Sequence, residues 1–288
     1  MTRLTLFVAA VAVAAFAAVP AAADWDPNDP TIVTKWVQLP DLEPTGLDVL
    51  ATWHADPPGA IGKVLADDWK CDRTGPITDV HVWGSWLNDL LPVQGPEQVA
   101  FELRIYSDIP ADPAGVNGEW SRPGELLWEK RYQPPSTDMR AKLYADAVQE
   151  QFYDPSQNEM IGTDTQVWLY NFDIPLDEAF VQKEGTIYWL SVQAAPHLAT
   201  AGGQAVFGWK TSINHFNDDA VFADNVGFVG PAPNPDQWFE MRYPSFHPFG
   251  GESIDLAFAI TTIPEPASLA LMLVGLAAPV VLLRRWRR

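Results

Sequence analysis

Cysteine is almost missing from these 288 residues: Cys71 stands alone, so no intramolecular disulfide can brace the chain. A small buried side chain is the expected role of that thiol. Cations are scarce as well. Eighteen Lys and Arg face 37 Asp and Glu, a formal net charge of −19, and so acidic a chain is closed to nucleic acid, whose phosphates need a basic partner. Internal repeats, a Gly-x-Ser-x-Gly elbow and a His-x-x-x-His pair are absent, and His54, His81, His197, His215 and His247 show no ligand spacing. These residues assemble no catalytic triad. Long apolar runs are also missing from the body of the chain and occur only at its two ends.

Those ends carry directional signals. The N-terminus has Arg3, an apolar stretch over residues 4–19, and Ala21, Ala22 and Ala23 before Asp24. A positive start, a short hydrophobic region and alanines flanking the cut make a signal peptide, with cleavage expected after Ala23 and export through the Sec machinery. At the other end come Pro264, Glu265 and Pro266, an apolar run over residues 267–283, and then Arg284, Arg285, Arg287 and Arg288. The 17 residues of that run rise about 25 Å as a helix, at the short end of what spans a bilayer core. Only Ser268 is polar within it, which a surface helix of a folded domain would not tolerate. Four arginines on one side and an acidic body on the other orient this single transmembrane helix with its C-terminus in the cytoplasm. The expected organisation is a signal peptide at 1–23, one exported domain at 24–262 and a sorting and anchor segment at 263–288.

The order of Pro-Glu-Pro, apolar run and arginine cluster over the last 26 residues resembles the PEP-CTERM sorting signal. That resemblance implies a Gram-negative type of envelope, recognition by an exosortase-type membrane transpeptidase, trimming near the Pro-Glu-Pro, and an association with exopolysaccharide. The two prolines around Glu265 also keep the segment extended and open to a processing enzyme.

Between the ends lie all but one of the acids, all but five of the cations and 12 of the 13 tryptophans. An apolar content of 47% is ample for a packed core, and 26 prolines and 19 glycines divide the chain into short segments. Strict alternation marks three strands: Val99, Phe101, Leu103 and Ile105; Tyr188, Leu190 and Val192; Ile254, Leu256, Phe258 and Ile260. Shorter candidates are 33–39, 64–69, 77–83, 126–132, 166–172, 205–209 and 220–222. About ten strands suit two packed sheets, so the expected fold is all-β, a jelly-roll-like antiparallel β-sandwich. Residues 140–151 are expected to form a short helix, because Leu143 and Ala147, and Tyr144, Val148 and Phe152, recur four apart. The proline-rich stretch 229–235 reads as a loop within the domain.

The segment running from Ala66, Asp67, Asp68 and Trp69 through Trp83, Gly84, Ser85 and Trp86, taken with residues 207–212, 217–222 and 240–244, resembles an uncharacterised exported domain common in planctomycete-type bacterial proteins. The resemblance supports a β-rich fold and implies no activity.

Three constellations bear on chemistry. Asp67 and Asp68 could be the acid and base of a glycosidase, which needs two carboxyls about 5–10 Å apart. Strand neighbours point to opposite faces, however, so a capping residue beside a solvated one is the simpler account. Asn214, Asn217, Asp218, Asp219, Asp224 and Asn225 form the densest run of oxygen donors. Calcium takes about six to eight such ligands, so a weak calcium site on Asn217, Asp218, Asp219 and Asp224 stands beside ordinary Asx turns, and no other cofactor is in prospect. Trp83, Trp86, Trp120 and Trp238 are candidates for a sugar-stacking surface, with core packing as the alternative. His81 is expected to be a hydrogen-bonded structural residue. The expected function is non-enzymatic: an exported cell-surface or matrix protein whose sandwich is structural, adhesive or glycan-binding. Its rival is a surface hydrolase acting on polysaccharide, which would show a cleft with two carboxylates.

Overall fold

Apolar residues at every second position give strands with one greasy face, and such strands must stack sheet on sheet to hide it. The computed structural model describes residues 25–27, 32–54, 62–112, 114, 118–196 and 203–262. Among them the chain is strands joined by turns, with two short 3-10 turns at Leu87–Asp89 and Pro235–Gln237. No helix of the described residues is long and apolar enough to cross a membrane. The expected signal peptide at 1–23 and anchor at 263–288 lie outside the described residues, as does His197.

The larger sheet has ten strands. Across it, neighbours run Val33–Gln38, Phe258–Thr262, Asp79–Trp86, Phe207–Ser212, Leu47–Leu50, Glu150–Asp154 and Glu159–Asp164. On the other side of Asp79–Trp86 lie Val167–Asp173 and then Met139–Ala145. The six-stranded sheet runs Phe239–Glu240, Val221–Ala223, Val64–Lys70, Ile187–Ala195, Ala100–Ile109 and Arg122–Tyr132. Side chains from both sheets meet in one core. Phe101 of the smaller sheet packs 4.9 Å from Tyr170 and 5.1 Å from Phe207 of the larger one, and Trp69 packs 6.3 Å from Phe258, ring centre to ring centre. The arrangement is that of a β-sandwich, and every strand expected from alternation is present.

Two expectations change. Residues 140–151 are not helical: Met139–Ala145 and Glu150–Asp154 are strands. Met139–Ala145 pairs with Val167–Asp173 through a ladder broken once, at Tyr144, and that pairing overrides the spacing of fours. Ala147, between the two strands, has a φ of 62°, which no right-handed helix accommodates. The sandwich is also not wholly antiparallel, since Leu47–Leu50 and Glu150–Asp154 pair in parallel. About a hundred residues separate them, far more than a parallel crossover requires.

Candidate functional site

Alternation along Val64–Lys70 sends Leu65, Asp67 and Trp69 toward the other sheet and Val64, Ala66 and Asp68 outward. Asp67 is buried but fully served: Oδ2 accepts from the Leu256 amide at 2.6 Å and from Gln38 Nε2 at 3.1 Å, and Oδ1 accepts from the Asp68 amide at 2.8 Å. Burial, with the neighbouring Asp255 adding to it, raises the Asp67 pKa well above the carboxylate range. Asp68 takes Asn217 Nδ2 at 2.5 Å, and burial pushes its pKa up to about 9. Asp255 accepts from the Phe216 amide at 2.7 Å, and burial lifts it to about 6. As alternation requires, the adjacent pair shares no site.

A second set of carboxylates crosses the larger sheet. Phe207 and Trp209 belong to the main core, as do Leu47 and Val49, so Lys210 and Asp48 project from the opposite face, and their strands place them side by side. Phe152 and Leu50 pack together on that outer face, Glu150 shares the parity of Phe152, and Asp164 lies directly across from Glu150. Lys210, Asp48, Glu150 and Asp164 therefore form a row over four adjacent strands. They are 0%, 0%, 2% and 2% exposed, so a face expected to be wet is closed. Leu87 lies against Gly162, where a Cβ would come within 2.5 Å of its Cδ1, and Asp89 holds the turn after Asp164 by accepting from the Thr165 amide at 2.9 Å and the Gln166 amide at 3.1 Å.

The Lys210 ammonium is ion-paired with Glu150 and lies 3.4 Å from Asp48 Oδ2. Burial works against that ammonium, yet Asp48 and Glu150 outweigh it and raise its pKa. Among the described residues no N–H or hydroxyl donor reaches the buried Asp48 Oδ1, Glu150 Oε1 or either Asp164 oxygen, and Asp164 and Asp48 share a hydrogen bond that only a protonated carboxyl can donate. Burial, then the negative Asp48, drives Asp164 up to about 10, and burial drives Glu150 up to about 8. Oxygens of Asp48, Glu150 and Asp164 lie within 4.8 Å of one another, a separation that one metal ion can bridge.

The four donors expected to hold calcium do not converge. Asn217 is bound to Asp68, and Asp224 lies 2.5 Å from the Lys63 ammonium. Asp218 and Asp219 do approach Glu240. Asp218 Oδ2, however, accepts from the amide and hydroxyl of Ser121 at 2.7 and 3.1 Å, and Arg242 lies 2.7 Å from Asp219 and 2.6 Å from Glu240. Asn217 and Asp218 both meet the Ser121 hydroxyl, while Asp219 turns to Arg242 and Asp224 to Lys63, so the run of donors does not gather around one ion.

The aromatic candidates are mostly interior. Trp83, Trp86 and Trp238 are 0%, 1% and 2% exposed, and Trp120 is half-buried against the cluster that holds Trp238. Trp83 packs edge-on to Trp25 at 5.3 Å, and Trp86 donates to the Tyr170 hydroxyl at 3.0 Å. None of these three offers a face to a sugar. The stretch 229–235 folds back on the smaller sheet, leaving an open depression of about 330 Å³ between Tyr106, Ile109, Leu126 and Pro233. His81 is bonded to Asn171 at 2.7 Å and Thr261 at 3.0 Å, and Cys71 is buried, both as expected.

No curated protein matches this sequence. Residues 34–261, which cover the sandwich nearly from its first strand to its last, match the family model described as a domain of unknown function, DUF7901, and the chain belongs to that family.

Proposed function

We propose that this chain is an exported, non-catalytic β-sandwich of the bacterial cell surface or extracellular matrix, delivered by the Sec machinery and sorted through its PEP-CTERM-like tail by an exosortase-type transpeptidase. The observation that carries this reading is the meeting of the two ends. Val33 pairs with Thr262, so the first and last strands of the sandwich lie side by side, and only Ile263 separates Thr262 from Pro264 in the sequence. A leader removed before Asp24 and a tail cut near Pro264 would both leave from one edge of a finished domain. That edge would face the membrane while the rest of the sandwich faces outward, as a structural or adhesive module requires.

The burial of Asp67, Asp68 and Asp255 also supports a binding or scaffolding role over hydrolysis, because glycosidase carboxyls must reach a sugar in a cleft. The glycan-contacting surface in this reading is not the buried tryptophans but the outward edges of the sheets. Mass spectrometry of the protein recovered from the cell surface tests the proposal. A chain beginning at Asp24 and ending near Pro264 is the expected result; an untrimmed chain in the cytosol, with Met1 and Arg288 both present, contradicts it.

A further inference from the structure

Among the described residues two acidic groups bring three carboxylates within reach of one ion, and they differ in what already surrounds them. At Asp218, Asp219 and Glu240 an arginine and several donors occupy the oxygens. At Asp48, Glu150 and Asp164 one lysine serves three acids inside a closed face, so among the described residues two of the acids either keep their protons or need a second cation. The Asp164 side chain is the independent sign of a ligand: it is 2% exposed, and among the described residues no N–H or hydroxyl donor reaches either oxygen, its hydrogen-bonding neighbour being another acid, Asp48.

We propose that Asp48, Glu150 and Asp164 bind one divalent, oxygen-seeking cation, with calcium preferred. The charges close once the ion has displaced the protons of Glu150 and Asp164 to solvent: three carboxylates, one ammonium and one divalent ion sum to zero. The geometry closes as well. Oxygens on opposite sides of a calcium ion stand about 4.6–5.2 Å apart, and these oxygens lie within 4.8 Å of one another. All donors are hard carboxylate oxygens, with no imidazole or thiolate to attract zinc or copper. Magnesium demands a stricter octahedron and releases its water reluctantly, which a dry row of side chains from separate strands serves poorly. Asp164 ends the outermost strand on that side of the sheet, so it lies nearest the sheet's rim. Bound there, the ion would tie together four strands that enter the sheet from distant parts of the sequence, at residues 48, 150, 164 and 210.

The test is calorimetric titration of the full-length protein, purified in mild detergent and stripped with a chelator, using calcium chloride and then magnesium chloride. One calcium per chain is expected, with Kd in the range of about 10⁻⁵–10⁻³ M and magnesium at least tenfold weaker. Asp164→Asn should weaken calcium at least tenfold, while Asp219→Asn should leave it unchanged. If Asp164→Asn does not fold, Glu150→Gln carries the same expectation. Absence of calcium binding by the folded protein, equal affinity for magnesium, binding indifferent to Asp164→Asn, or binding lost in Asp219→Asn would each overturn the proposal.

Discussion

Asp67 and Asp164 are equally buried acids on strands of the same sandwich, yet their surroundings are opposite. Asp67 lies between the sheets and accepts three hydrogen bonds, two of them from backbone amides. Asp164 lies on the outer face with three other charged groups and accepts none. A buried polar group is stabilising when every lone pair is met and costly when it is not. The first site is therefore complete as protein, a latch joining the sheets. The second is held by protons on its acids, and the proposed cation would take their place.

The sharpest way to break that contrast is to remove the latch. Asp67→Ala takes an acceptor from the Leu256 and Asp68 amides and from Gln38, and urea unfolding should show a loss of about 3–5 kcal/mol that calcium does not restore. Gly46→Ala comes next. A Cβ there would sit 2.6 Å from the Asp41 carbonyl, 2.7 Å from Glu150 Oε1 and 2.8 Å from Lys210 Nζ, so a loss of about 2–3 kcal/mol and weaker calcium binding should appear together.

A pH series separates the regions further. Asp68 holds its proton up to about pH 9 when folded, whereas an unfolded aspartate releases it near pH 4. The folded state then binds more protons than the unfolded one, so stability is complete below about pH 4 and declines as pH rises toward 9. Asp68→Asn should flatten that decline in urea midpoints measured from pH 5 to 9; a slope identical to the parent's would count against the assignment. Smallest of all is the exposed arginine pair. Arg242→Ala should cost under about 1 kcal/mol, and the loss should shrink in high salt, as half-exposed ion pairs do.

The same contrast shows what was legible in the sequence. Alternating segments such as 99–105 and 254–260 announced their strands, because a buried face leaves a period of two. The opposed orientations of Asp67 and Asp68 followed from the same rule. The acid row did not show itself, since Asp48, Glu150 and Asp164 sit on the strands Leu47–Leu50, Glu150–Asp154 and Glu159–Asp164, which lack clean alternation. Glu150 even fell within a segment whose spacing of fours imitates a helix. Its four members span more than 160 residues, so only the pairing of strands collects them. Adjacent donors such as Asn217, Asp218 and Asp219 drew attention because they are consecutive, yet Asn217 and Asp218 meet Ser121 while Asp219 turns to Arg242. Tryptophan abundance was equally ambiguous, since Trp83 and Trp86 reach opposite buried faces of one strand.

The most direct measurement is an anomalous difference map from crystals of the protein grown with calcium and, in parallel, with terbium in its place. A single strong peak lying about 2.3–2.6 Å from carboxylate oxygens of Asp48, Glu150 and Asp164 is the predicted result. No peak there, or one only at Asp218, Asp219 and Glu240, would contradict it.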